Sequence, residues 1–175
     1  MHLVRDALPQ GERHAGVAGR APRATRIIGV GNPDRGDDAA GLEVARRLRL
    51  LHGIETLECA GAMTDLLQAW SGAADVVVVD AMVSGRPPGT VTRFDAARGP
   101  LPAAPFRGST HGLGVAEAVA LARTLGQLPV RLTVWGIEGA DFTLGSALTP
   151  AVAAAVAQVV AELAGSAAGQ EHRGS

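Results

Sequence analysis

Four consecutive valines, Val76-Val-Val-Val79, constrain the fold of this chain more than any other feature. Side chains alternate between the two faces of a strand, so a strand of this composition is apolar on both. Such a strand belongs in the middle of a parallel sheet covered by helices on each side. The rest of the sequence supplies its neighbours. Short apolar runs at 26–30, 54–58 and 130–137 predict further strands, and 90–94 alternates like an edge strand. Between them lie helical patterns at 37–51, 64–70, 112–125 and 150–164. In the first, Val44, Leu48 and Leu51 form one apolar stripe, while Glu43, Arg46, Arg47 and Arg49 face water. Thr64 is placed as the N-cap of the second helix and Thr149 as that of the last, with Pro150 in a first helical position. Pro100, Pro102 and Pro105 make 96–108 an irregular loop. The order β-α-β-α-β-β-α-β-α predicts an α/β fold, a three-layer α/β/α sandwich around a mostly parallel five-stranded sheet.

A chain of 175 residues suits one domain with one substantial core. That domain is placed at 26–164, with a flexible leader at 1–25 and a flexible tail at 165–175, since neither end shows apolar periodicity. The chain has no Tyr and few other aromatics, so the core is built from Val, Leu, Ile and Ala. A net charge of −1 gives no electrostatic reason to expect nucleic acid or an anionic membrane as partner. The N-terminal stretch lacks the apolar centre of a secretory signal, and the apolar run at 151–160 is too short to cross a bilayer. The expectation is a soluble, cytoplasmic monomer. A single cysteine, Cys59, excludes an intrachain disulfide and a Cys-rich metal site, and reads as a small core residue.

In a parallel sheet, ligands gather outside the carboxyl ends of the strands. Three stretches arrive there with polar groups. The first strand runs into Gly29-Val-Gly-Asn-Pro-Asp-Arg-Gly-Asp-Asp38, the valine strand ends in Asp80, and the loop before the third helix delivers Ser109-Thr-His111. Two carboxylates and an imidazole from three segments suit a borderline divalent cation. Each also has a plainer explanation: Asp37 or Asp38 favouring a helix start, Asp80 capping a turn, His111 lying on the surface. Asp80 is hardest to explain away, because a carboxylate directly after four valines sits at the edge of a low-dielectric core. Gly29-x-Gly31 is also compatible with a phosphate-binding turn, but the acids at the helix start would repel an anion, and Asp34 stands where a third glycine is expected. Glu138 and Asp141, after the last strand, are candidates to line the same cleft, but the favoured reading is solvated loop charges.

These residues carry a resemblance. Ile28-Gly-Val-Gly-Asn-Pro-Asp-Arg-Gly-Asp-Asp-Ala-Ala-Gly41 resembles the opening motif of the hydrogenase maturation endopeptidases. Val76-Val-Val-Val-Asp-Ala81 with Gly85-x-x-Pro-Gly89 resembles their second motif, and Ser109-Thr-His-Gly-Leu113 their third. Trp135-Gly-Ile-Glu138 and Leu148-Thr-Pro150 resemble their C-terminal section. The chain departs from the pattern at Ala39, where the family usually has Gly, at Pro33-Asp34-Arg35, and at Asp38, where some members have Glu.

The resemblance implies a five-stranded sheet between helices and a metal-contacting set that falls on Asp38, Asp80 and His111. It implies an endopeptidase that removes the C-terminal extension of a [NiFe]-hydrogenase large-subunit precursor. The nickel is carried by that precursor, and no organic cofactor is implied. No Ser-His-Asp set or Cys-His pair is visible, which argues against covalent catalysis, and the resemblance makes Asp38, Asp80 and His111 the catalytic candidates as well. Either the metal polarises the scissile carbonyl or a carboxylate activates water. The rival readings are a peptidyl-tRNA hydrolase, which would need a positive surface for phosphates, and a non-enzymatic nickel- or nucleotide-binding module.

Overall fold

The computed structural model describes residues 25–51, 54–106 and 114–171. Five strands form one sheet: β1 (Arg26–Val30), β2 (Glu55–Cys59), β3 (Asp75–Met82), β4 (Val91–Asp95) and β5 (Arg131–Glu138). Four helices flank it: α1 (Ala40–Arg49), α2 (Met63–Trp70), α3 (Val115–Thr124) and α4 (Pro150–Glu171). The strand order is β2-β1-β3-β5-β4, with only β4 antiparallel to its neighbour. The three-layer, mostly parallel architecture read from the sequence is the one observed.

Alternation along the valines builds both layers. Val76 and Val78 pack with Leu66 and Trp70 of α2 and Val119 of α3. Val77 and Val79 pack with Val44 and Leu48 of α1 and Val156 and Val159 of α4. Each side chain removed from water in this way stabilises the fold by about 1.5–3 kcal/mol before entropy is charged against it. The antiparallel β4 lies at the edge, where Arg93 stacks 4.0 Å from the ring centroid of Trp135 and pairs with Glu162 of α4.

Four expectations about element ends need correction. The pattern at 37–51 begins as a 3₁₀ turn (Gly36–Ala39), and α1 stops at Arg49. Leu51 therefore lies beyond the helix and is 40% exposed rather than part of the stripe. α2 starts one residue early, with Ala62 as N-cap and Thr64 inside the first turn. α4 runs on through Gly165 and Ser166 to Glu171, where a tail was expected. By length and composition Pro150–Ala167 would also pass for a membrane-crossing helix, but Val152, Val156, Val159 and Leu163 seat it in the core. The leader at 1–24 and the start of the third helix at 112–113 fall outside the described residues.

The connections place the site. From β1 the chain passes through α1 to β2 on one side, then crosses to β3 on the other. The strand order reverses between β1 and β3, and in open α/β sheets the ligand crevice lies at such a point, outside the carboxyl ends of the strands.

Candidate active site

Two glycines allow α1 to lie directly on that crevice. A Cβ on Gly41 would overlap the carbonyl oxygens of Val79 and Val30, and one on Gly29 would overlap the carbonyl oxygen of Gly41. Helix and strands thus meet backbone to backbone. The turn leading into the helix is equally close-fitted. Asn32 Oδ1 accepts from Asp34 N (2.9 Å), and Asp38 N donates to Arg35 O (3.0 Å). Gly31, at φ 149°, has the carbonyl oxygen of Asp38 where a side chain would begin.

The result is a pair of carboxyl groups at the sheet's carboxyl edge. Asp38 is 5% exposed and Asp80 is 7% exposed. Asp80 lies within β3, opposite Gly136 of β5, and the strand continues past it to Met82. Burial, and then the negative charge of Asp38, push its carboxyl up to about 8. Burial also raises Asp38, opposed by the Arg35 guanidinium and by the backbone N–H of Asn32. Arg35 Nη1 stands 3.7 Å from Asp38 Oδ2. With Asp38 ionised beside it, Asp80 favours its protonated form and is poised to give up that proton when a cation arrives.

His111, the third residue singled out in the sequence, lies outside the described residues. Residues up to Phe106 are described, and there Val83 N donates to Pro105 O (2.8 Å), which ties that stretch to the exit of β3. Among the described residues no set of three His, Cys, Asp or Glu side chains converges as a metal cluster. Cys59 is buried at the end of β2, as a core residue should be.

The remaining acids divide differently from the sequence reading. Glu138 is 2% exposed, not a solvated loop charge. Its carboxyl oxygens accept from Ser84 N (2.7 Å), Ser84 Oγ (2.7 Å) and Gly85 N (2.8 Å), fastening the loop after β3 to the end of β5. Glu138 follows the apolar run Val134-Trp-Gly-Ile137, so the argument that singled out Asp80 applied to it equally. Glu138→Ala should lower stability by about 1–3 kcal/mol, read as a fall in Tm, because the N–H groups of Ser84 and Gly85 would lose their acceptor. Asp141 is only half-buried, and its carboxyl oxygen accepts from Thr143 N (2.9 Å). Asp37 is fully buried and turned away from Asp80, towards the loop after β5.

Comparisons with known proteins agree with this fold. The profile of the family described as hydrogenase maturation protease matches residues 49–166. The hydrogenase expression/formation protein HupD of Rhodobacter capsulatus is 27% identical over 137 residues, covering 75% of this chain and 65% of that protein. The solution structure of an endopeptidase from Escherichia coli superposes with a TM-score of 0.68 at 26% identity, covering 80% of this chain and 89% of that one. The hydrogenase maturating endopeptidase HybD from E. coli gives 0.62 at 28% identity, over 82% and 93% of the two chains. The chain belongs to the hydrogenase maturation protease family.

Proposed function

We propose that this protein is a cytoplasmic, monomeric endopeptidase that removes the C-terminal extension of a hydrogenase large-subunit precursor. Asp38, Asp80 and His111 grip the nickel that the precursor carries. The observation that carries this reading is the pairing of two buried carboxyl groups from separate segments at the switch point of the sheet. Leaving both ionised and unpartnered in a low dielectric is costly, and a divalent cation removes that cost. Asp80 holds its proton near neutrality in the metal-free protein. It releases that proton as the substrate's nickel is engaged, so the second negative charge develops only when the nickel-loaded substrate is present.

Two routes to bond cleavage fit the pair. Nickel polarises the scissile carbonyl while solvent water attacks, or one carboxylate takes a proton from the attacking water. Both need Asp38 and Asp80 at one cation, and neither needs a covalent intermediate.

The test is cleavage of purified precursor with and without nickel. Loaded precursor should be cut and nickel-free precursor left intact. Asp38→Asn and His111→Ala should block the first reaction while the variants melt cooperatively. Efficient cutting of nickel-free precursor would overturn the assignment of the site.

A further inference from the structure

The 3₁₀ turn Gly36–Ala39 carries two acids in succession, and a turn of about three residues sends neighbouring side chains in different directions. Asp38 belongs with Asp80. Asp37 points into the 139–149 loop and is fully buried there. Its Oδ2 accepts from Ala140 N (2.8 Å), Asp141 N (3.0 Å) and Thr149 Oγ1 (3.0 Å), and its Oδ1 accepts from Thr149 N (2.7 Å). Backbone bonds between the same two segments surround this clasp. Gly36 N donates to Ser146 O (3.2 Å), Asp37 N to Asp141 O (2.8 Å), and Gly145 N to Asp34 O (2.7 Å). Gly36 has no room for a side chain, because a Cβ would overlap Ser146 Oγ.

The geometry points to Asp37 as a positioning residue that sets the place of the Asp38 carboxyl by latching its turn to the loop after β5. This rests on the reading of Asp38 as a nickel contact. The turn is held at one end by α1, which lies on the sheet, and the latch holds the other. Its own bonds, Asp34 N to Asn32 Oδ1 and Asp38 N to Arg35 O, are local, so they fix its shape without fixing where it sits. The sheet holds Asp80 through its ladder with β5, but Asp38 stands outside any strand. The latch joins it to a segment whose two ends are fixed, by β5 on one side and by the start of α4 on the other. Every atom facing the Asp37 carboxyl is a donor, so only a group with two acceptor oxygens satisfies all four contacts. In Asp37→Asn, whichever way the amide turns, its nitrogen meets at least one N–H.

Two measurements on the full chain test this. Hydrogen exchange of Asp37→Asn should speed up in 34–39 and 139–149 while the strands stay protected. Calorimetric titration with Ni²⁺ alone, well below Tm, should show affinity reduced by roughly 10–100-fold, the usual cost of losing an outer partner of a metal ligand. Leu132→Ala, a core truncation elsewhere in the sheet, should lose stability yet keep wild-type affinity. Adding Asp37→Asn to Asp38→Asn should change affinity no further, because its effect runs through Asp38. Thr149→Val removes a single donor and gives a milder form of the same result should the Asn variant fail to fold. Destabilised Asp37→Asn with wild-type nickel affinity and unchanged exchange in the two segments would overturn the positioning role. Equal affinity of wild type and Asp38→Asn would instead overturn Asp38 as a nickel contact, leaving the exchange data to decide the latch.

Discussion

Asp80→Asn is expected to abolish precursor cleavage while making the protein more stable. The activity loss should exceed the roughly 10–100-fold typical of a merely supporting partner, since an amide is a poor replacement for a carboxylate in contact with a cation. The gain in stability has a definite pH signature. The Asp80 carboxyl is pushed up to about 8 by burial and by Asp38, against an ordinary value near 3.8. Below pH ~4 the group is protonated folded or unfolded and contributes nothing. Between ~4 and ~8 the unfolded chain gives up its proton while the folded chain keeps it, so rising pH favours unfolding. Above ~8 the penalty is constant. An amide in place of this carboxyl would carry no such penalty. The Tm difference between variant and wild type should therefore open from pH ~4 and level off near 8, with a plateau of a few kcal/mol at most. A gap in Tm that is flat across this range, or a variant that still cuts, would remove Asp80 from the role given to it.

Gly41→Ala is expected to destabilise the protein by about 3 kcal/mol or more, at the upper end of overpacking effects. Helix propensity alone predicts the opposite sign, because Ala is better than Gly inside a helix by about 1 kcal/mol. The decisive fact is what the new methyl would meet: the carbonyl oxygens of Val79 and Val30, both in core strands that cannot retreat. Gly165→Ala provides the contrast. Gly165 lies in α4 with open space around it, so there propensity should win and Tm should rise. Thermal melts of the two variants side by side decide whether close approach of α1 to the sheet is required. A stabilised Gly41→Ala would show that α1 has room to move, and with it the turn bearing Asp38.

How much of this was legible in the sequence follows from the range of the interactions. The valine strand announced its position because burial on both faces leaves a composition that no edge strand has. Asp80 was legible for the same reason, as a carboxylate attached to that run. Helix ends were less so. Thr64 looks like a cap, but α2 begins at Met63 after an Ala62 N-cap that makes no side-chain bond, and Gly165 and Ser166 look like a stop that α4 passes through. Asp37 and Glu138 were misjudged or left undecided because their partners are distant along the chain. Asp37 meets residues more than a hundred positions away, and Glu138 meets Ser84 and Gly85 across the sheet. Nothing local separates an acid that grips a loop from one that grips an ion.

The two tryptophans give the molecule an unplanned optical property. Trp70 lies in the layer of α2 and α3, its indole nitrogen buried without a hydrogen-bond partner among the described residues, while Trp135 lies in the layer of α1 and α4 beneath Arg93. With no tyrosine in the chain, ultraviolet emission comes from one fluorophore on each side of the sheet. The single variants Trp70→Phe and Trp135→Phe would each leave one reporter, so loosening of either face can be watched by itself. If both signals vanish at the same denaturant concentration, the layers melt as one cooperative unit.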